Sequence, residues 1–397
     1  MMRILFVDDE VNILRAQQRM LMDMTDQWEM VFAQSGREAL SLMAEKPFDV
    51  VVTDMRMPEM DGADLLNEVM RLYPDTIRIV LSGHSEHELV LKSVRTAHQY
   101  LAKPCDSEQL RSVVGRAQGL RGILADESLR GVVSKMTTLP SLPDHYRDMM
   151  LQVESEEGSM NVLGKVISQD IGMTAKVLQL VNSAFYGLAQ HIGDPVHAVR
   201  LLGFNTVRSL VLSAHVFSQL ADGTAQIDFA GLWDHSITTG TIAKRLAAAE
   251  GCGQLFQEHA LAAGILHDTG KVLLAVNKPE KASVIRFLCA GDAASSPEAE
   301  KQAFGTTHAE IGAYLLGLWG LPDPIVEAVA FHHRPADCVA ATFTPLTAVH
   351  VADALEHARR QAPGPCAPLA PDAEYLARLG LAERLSIWQN QCLTGVQ

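Results

Sequence analysis

Four short apolar runs near the start of the chain each stop on a polar residue able to do chemistry, and few folds accommodate that pattern. Ile4-Leu5-Phe6-Val7 runs into Asp8-Asp9, and Val50-Val51-Val52-Thr53 runs into Asp54. Ile77-Arg78-Ile79-Val80-Leu81 ends at Ser82, and Tyr100-Leu101-Ala102 ends at Lys103-Pro104. Runs rich in branched residues, with little polar alternation, read as strands buried on both faces, the mark of a parallel sheet covered by helices. Such a sheet gathers its reactive groups beyond the carboxyl ends of its strands. Asp8, Asp9, Asp54, Ser82 and Lys103 are therefore expected together at one edge.

The chemistry of that set is coherent. Crowded carboxylates repel one another unless a divalent cation neutralises them, and Mg²⁺, a hard ion that takes oxygen ligands, suits them. It would also screen a phosphoryl group as the Asp54 carboxylate attacks phosphorus, with Lys103 balancing the anion and Ser82 donating to a phosphoryl oxygen. A single Asp-Asp pair would be no more than a loop cap; four elements in this order outweigh that reading. Together with Asp-Met-Arg-Met-Pro-Glu-Met-Asp-Gly (54–62), they make residues 1–120 closely resemble the receiver domain of two-component response regulators. The resemblance implies a doubly wound, five-stranded parallel α/β sheet, with Asp54 as phosphoacceptor. It also implies that Asp8, Asp9 and Asp54 hold Mg²⁺, that Ser82 and Lys103 contact the phosphoryl group, and that Tyr100 is the aromatic switch. A sensor histidine kinase is the implied phosphoryl source.

Composition bounds the remainder. The 397 residues are too many for one ordinary domain, and 48% hydrophobic content is enough for sizeable cores. No apolar stretch approaches the roughly 18 residues a membrane span requires. The first residues enter a strand at once, without a leader pattern, and six scattered cysteines form no Cys-x-x-Cys pair, so a reducing cytoplasm is expected. Net charge is −14, of which residues 1–120 account for about −6 and the rest for about −8. DNA binding needs a positive face, so no DNA contact is expected; Arg200 and Arg208 are the nearest approach to a basic patch.

The chain divides near residue 120. The last receiver helix is expected over about 107–118, followed by Gly119-Leu120-Arg121-Gly122 and a helical linker over 121–138. Leu139-Pro140-Ser141-Leu142-Pro143 reads as an extended connection, because each proline disfavours helix at the residue before it. Over 139–357 apolar residues recur at helical spacing (Val162, Val166, Ile167, Ile171; Val177, Leu178, Val181), and no convincing strand signal follows residue 144. Gly203, Gly223, Gly251 to Gly253 and Gly291 fall at expected helix ends. This half is predicted to be all-α. A Pro/Ala-rich linker and short C-terminal helices are expected over 358–397.

Distinctive motifs mark the helical half. They include Leu139-Pro140-Ser141-Leu142-Pro143, Ser168 to Leu178, Val181-Asn182-Ser183-Ala184-Phe185-Tyr186-Gly187, Ala198 to Gly203, and Trp319-Gly320-Leu321-Pro322. Over about 130–335 they resemble the HDOD domain, a helical relative of the HD phosphohydrolases. Asn182 to Gly187 reads in itself as a helix end. In the order of the HD family stand His235, His267-Asp268, His308, His332-His333 and Asp353, a donor set suited to Fe, Mn, Zn or Ni. By that resemblance His235, His267, Asp268 and Asp353 hold one ion, and His308, His332 and His333 a second. Lys271 is a candidate phosphate contact, or else a solvated helix charge. After the double His come Arg334-Pro335-Ala336-Asp337, where relatives that hydrolyse cyclic-di-GMP carry a Glu and a Gly-Tyr-Pro loop. That departure favours signalling over turnover. The expectation is a phosphorelay regulator in which Asp54 controls a helical domain that binds a downstream protein or a nucleotide ligand. The alternative is a receiver-controlled, metal-dependent phosphohydrolase or phosphodiesterase. The residues leave the oligomeric state open, a homodimer included.

Overall fold

The computed structural model describes residues 1–83, 96–105, 107–123, 130, 133–134, 136, 140–141, 143–154, 159–182, 191–204, 206–207, 218–219, 228–277, 297–338, 342–360 and 370–392. Strands β1 (Met2–Val7), β2 (Trp28–Ala33), β3 (Val50–Asp54), β4 (Ile77–Ser82) and β5 (Gln99–Ala102) form one parallel sheet in the order β2-β1-β3-β4-β5. Helices α1 (Val11–Met20), α2 (Gly36–Glu45), α3 (Gly62–Leu72) and α4 (Ser107–Ile123) cover its two faces. The period-2 geometry of a strand explains the sorting. Ile4, Phe6, Val50, Val52, Ile77 and Ile79 pack with Leu14 of α1 and Leu110 and Val114 of α4. Leu5, Val7, Val51, Val80 and Tyr100 pack on the other face with Ala39 and Met43 of α2 and Leu65, Leu66 and Val69 of α3.

The second half is helical. It contains α5 (Pro143–Glu154), α6 (Met160–Ser168), α7 (Ile171–Val181), α8 (Pro195–Leu202), α9 (Phe229–Ala249), α10 (Gln254–Leu266) and α11 (Thr269–Asn277). These are followed by α12 (Pro297–Phe304), α13 (His308–Leu318), α14 (Asp323–Phe331), α15 (Pro345–Arg360), α16 (Ala373–Arg378) and α17 (Arg384–Cys392). Sequence punctuation sets several ends. Asp170 accepts from Met173 N to start α7, and Asn182 ends that helix by donating to Leu178 O and Ile192 O. Thr307 and Glu310 form a reciprocal capping box that fixes the start of α13. Gly203 and Gly251 take positive φ where helices stop, whereas Gly223, Gly291, Arg208 and 183–187 lie outside the described residues.

Two boundaries differ from the sequence reading. The last receiver helix runs on to Ile123 rather than ending near 118, because Gly119 and its neighbours continue the turn instead of breaking it. The helical half also contains a strand pair, β6 (Pro140–Ser141) with β7 (Ser218–Gln219), too short to leave a periodic signal.

The two halves share one core. The apolar cluster on the α1/α4 face of the sheet continues through Ala117 and Val133 into Val177, Leu316, Leu318 and Leu321. Polar bonds cross the same seam: Gln99 Nε2 donates to Gly317 O (3.3 Å), Gln179 Nε2 to His98 O (3.3 Å), and Arg116 Nη1 to Leu321 O (3.3 Å). Arg116 also pairs with Asp323 at 3.1 Å. Beside this seam Arg78 is fully buried in β4, with no carboxylate facing it among the described residues. Its guanidinium donates instead to the carbonyls of Thr96 (2.6 Å), Thr76 (3.1 Å) and Ser134 (2.6 Å), and lies 2.8 Å from His98 Nε2. Burial lowers its pKa to about 9. A buried charge without a counter-ion persists only where its donors are satisfied, so this node holds Ser134, in the connecting segment, against β4 and β5.

Helix packing around the second half is closest at Gly270, where an added Cβ would fall 1.9 Å from His308 O. Gly270→Ala is expected to destabilise the helical half by about 2 kcal/mol or more, since the clash is with backbone. Gly119 has nothing within 4 Å of an added Cβ. Gly119→Ala should therefore stabilise by roughly 0.5–1 kcal/mol. Denaturant unfolding of both variants checks this; the same shift in both would refute the packing argument.

Candidate functional site

At the carboxyl edge of the sheet stand Asp8, the residue after β1, Asp54 of β3, Ser82 of β4 and Lys103, the residue after β5. Lys103 Nζ lies 2.9 Å from Asp8 Oδ2 and 2.5 Å from Asp54 Oδ1. Asp8 Oδ1 accepts from Glu10 N (2.9 Å) and Asp54 Oδ2 from Arg56 N (3.1 Å), so backbone amides orient both carboxylates. Burial raises the Asp54 carboxyl above its ordinary range and outweighs the pull of Lys103, with the Asp8 charge adding to the rise. Asp9 is exposed at the rim, Ser82 is buried at the end of β4, and Tyr100 is already buried in this structure. Gly62 brings α3 against this strand end; an added Cβ there would lie 2.2 Å from Asp54 O. Hard oxygen donors converging on one ammonium fit a Mg²⁺ site, with lysine and cation drawing on the same oxygens.

The second constellation lies inside the helical half. His235 comes from the middle of α9, His267 and Asp268 from the junction of α10 and α11, and His308 from the first residue of α13. His332 and His333 follow α14, and Asp353 lies on α15. Six helices thus converge on one point, and all seven residues singled out in the sequence meet there in two groups that share Asp268. In the first, His235 Nε2 lies 3.0 Å and His267 Nε2 3.6 Å from Asp353 Oδ1. The same nitrogens lie 3.8 Å and 3.4 Å from Asp268 Oδ2. In the second, His308 Nε2 lies 3.2 Å from His332 Nε2, 3.1 Å from His333 Nε2 and 3.3 Å from Asp268 Oδ1.

Two observations bear on whether this set fits a metal. First, His267 Nδ1 is held by Gly264 O (2.7 Å) and His332 Nδ1 by Val329 O (2.8 Å). A ring that donates through Nδ1 turns an unprotonated Nε2 inward, the usual arrangement of a ligating imidazole. Second, His235 Nε2, His267 Nε2, Asp268 Oδ1 and Asp353 Oδ1 are buried with no partner in hydrogen-bond geometry among the described residues. Buried polar atoms are rarely left so, and these four are donor atoms of the site. The electrostatics divide the cluster: burial lowers the His267 imidazole, but the Asp268 and Asp353 carboxylates outweigh it and raise it above its ordinary value, so without a cation it carries a proton. Burial pushes the Asp268 carboxyl up, but His267, Lys271, His308 and His235 together hold it well below the usual range. Burial lowers His332 and His333 far below the ordinary imidazole value, and their imidazole neighbours add to the fall, so both are neutral. The set fits a pair of borderline divalent ions.

Lys271 Nζ sits 2.7 Å from Asp268 Oδ2 with its side chain almost wholly buried, so it is an ion-pair partner of the shared carboxylate rather than a solvated charge. Two residues escaped the sequence reading. Glu300, fully buried on α12, holds His308 Nδ1 at 2.6 Å and accepts from His308 N at 2.6 Å. It lies eight residues ahead on a different helix, a spacing with no periodic signature. His357 faces Asp353 at 3.0 Å from the next turn of α15, and that i, i+4 spacing was legible.

A family model for the response regulator receiver domain matches residues 4–115, and one for the HDOD domain matches residues 139–335. An uncharacterized protein of Treponema pallidum is 27% identical over 206 residues, covering 51% of this chain and 39% of that protein. The hydrogenase transcriptional regulatory protein HoxA of Cupriavidus necator is 33% identical over 124 residues, 30% of this chain and 25% of that protein. The chain thus spans less than half the length of these two curated relatives. Among solved structures, the MmoQ response regulator of Methylococcus capsulatus is 21% identical, with 64% of this chain and 98% of that chain covered at a TM-score of 0.47.

Lys103→Met is expected to leave Asp8 and Asp54 uncompensated and to lower the thermal midpoint of the receiver half by several degrees. Added Mg²⁺ should then raise the midpoint more in the variant than in wild type, because cation and lysine serve the same oxygens. Equal Mg²⁺ responses would show that they do not share a site. For the helical half, elemental analysis should find metal in wild type and a marked loss in a His267→Ala, Asp268→Ala double variant. Near-zero metal in both would leave the cluster a structural relic.

Proposed function

The chain is a response regulator in which a receiver domain precedes an HDOD output domain, and from that premise we propose that phosphorylation of Asp54 controls how the helical half engages a downstream protein or nucleotide ligand. The observation that carries this reading is the shared core. Gln99 of β5 and Arg116 of α4 bond directly to the α13–α14 corner, and His98 at the head of β5 accepts from Gln179 of α7. A change at the carboxyl end of the sheet therefore reaches the output half through packed elements. A sensor histidine kinase supplies the phosphoryl group in this reading, with Mg²⁺ held by Asp8, Asp9 and Asp54. Ser82 and Lys103 contact the phosphoryl oxygens, and Tyr100 repacks. Some relatives bear names of transcriptional regulators. A net charge of −14 argues against direct DNA contact by this chain and for signalling through a protein or small ligand.

The paired donor groups sharing Asp268 favour a second reading, a metal-dependent phosphohydrolase under receiver control. A bound divalent pair would supply Lewis acidity and activated water for attack on phosphorus. Asp268, His308 and the buried Lys271 would position the ions and balance charge around them.

With Mg²⁺ and acetyl phosphate, wild type should gain one acid-stable, base-labile phosphoryl group and Asp54→Asn none. Beryllofluoride should then alter hydrogen exchange at β5, in residues 133–136 and in α13–α14. Equal labelling of both proteins sinks the assignment of Asp54. Unchanged exchange across the seam, with phosphodiester turnover indifferent to beryllofluoride, transfers the case to a constitutive enzyme.

A further inference from the structure

The HDOD family match ends at residue 335, yet the chain beyond residue 370 is packed into the helical half. Tyr375 of α16 and Trp388 of α17 are fully buried. Trp388 Nε1 donates to Glu250 Oε1 (2.7 Å), and Arg384 pairs with the same carboxylate at 2.6 Å, at the end of α9. Tyr375 Oη lies 2.7 Å from Thr347 Oγ1 of α15, and Arg378 donates to the carbonyls of Ala336 (3.4 Å) and Cys338 (3.2 Å). Helix α16 therefore rests on the two segments that carry His332-His333 and Asp353.

One residue joins α16 to the donor cluster itself. His350 stands on α15 three residues before Asp353. Its Nε2 accepts from the backbone N–H of Asp372 (2.8 Å), the residue whose side chain caps α16, and its Nδ1 donates to His332 O (2.7 Å). Accepting at Nε2 leaves the ring proton on Nδ1, so both bonds hold in one neutral tautomer. His332 ends α14, where the last carbonyls lack helical partners. Val329 O is met there by His332 Nδ1 (2.8 Å) and Phe331 O by Arg334 N (2.8 Å). A cap on His332 O alone would occupy one nitrogen of His350. The second is bonded to another segment, so the position of α16 and that of the His332 backbone are fixed together. His332 Nε2 lies 3.2 Å from His308 Nε2, so a shift of that backbone moves a donor atom of the cluster.

We propose that His350 is a positioning residue of the metal centre and that residues 370–392 act through it, so that metal binding at His308, His332 and His333 is coupled to docking of α16. The proposal rests on the metal-binding reading above. Coupling of this kind is reciprocal: a segment that orders the donors is itself held more firmly once metal is bound.

The test uses the metal-free full-length protein, Co²⁺ binding followed by visible absorption, and hydrogen exchange. In wild type, bound Co²⁺ should slow exchange at 372–378 and leave α6, which carries no donor, unchanged. His350→Gln places its amide where Nε2 stood, within reach of Asp372 N but not of His332 O. It should bind Co²⁺ roughly 10-fold more weakly, with a shifted visible band, and its exchange at 372–378 should no longer respond to metal. His350→Asn places its amide where Nδ1 stood, keeps the bond to His332 O and should recover much of the affinity. Wild type that binds no Co²⁺ overturns the metal reading itself. Bound Co²⁺ that leaves 372–378 unchanged, or slows α6 equally, overturns the coupling and needs no variant to show it. Unchanged affinity and spectrum in His350→Gln would overturn the role of His350 alone.

Discussion

The Asp268 carboxylate is the constraint around which the helical half is arranged. It is fully buried, its Oδ1 faces His308, and its Oδ2 faces His235, His267 and Lys271. Burying an anion is tolerable only where opposing charge and donors surround it. Three separate segments, α9, the α10–α11 junction and the start of α13, must therefore arrive together. Gly270 is the geometric consequence, since α11 can meet the start of α13 only where no side chain intervenes. Glu300 is another, fixing the His308 ring so that its other nitrogen points at Asp268. The close-packed glycine and the buried Glu–His pair follow from one requirement, the placement of a shared carboxylate between two imidazole groups.

A comparable economy joins the halves. The buried Arg78 takes its acceptors from the loop before β5 and from Ser134 in the connecting segment, so the sheet and the connector cannot separate without stranding a guanidinium. Breaking one partner of such a node is strongly destabilising because the charge left behind is uncompensated. Exposed pairs near the same seam, such as Arg116 with Asp323, are screened by solvent and contribute little by comparison. The seam is held by shared apolar packing and a few buried polar bonds, and it can shift only as a unit.

How much of this the sequence revealed follows from the range of each interaction. Asp8, Asp54, Ser82 and Lys103 were legible because strand ends announce themselves locally, as apolar runs that stop. The seven metal-type donors were legible as an ordered set, although their grouping into two around Asp268 needed the fold. Glu300 was not legible, since a lone Glu on a surface-patterned helix gives no hint that it is buried against His308. His357 stood in plain view four residues after Asp353 and was passed over, because the family order ended at the Asp. Ile123 as the true end of α4 shows the reverse failure. Glycines that read as a break were tolerated within an otherwise continuous helix, where packing outweighs propensity.

The placement of Tyr100 and Gln99 indicates how the two sites can communicate. They are consecutive residues of β5, so their side chains leave opposite faces of the sheet. Tyr100 joins the core over α2 and α3, whereas Gln99 donates across the seam to Gly317 at the end of α13. Ser82 at the end of β4 and Arg78 are four residues apart, roughly 13 Å at strand spacing. No charge need cross that distance. A repacking of Tyr100 that moved the β5 backbone would carry over to Gln99 and His98 on the far face. Packed interfaces of this kind respond by switching between discrete arrangements rather than by bending. A difference of a few kcal/mol between arrangements then suffices to move most of the population. At the other end of α13 stands His308, so the helix that Gln99 contacts is also the one that carries a residue of the buried His/Asp cluster.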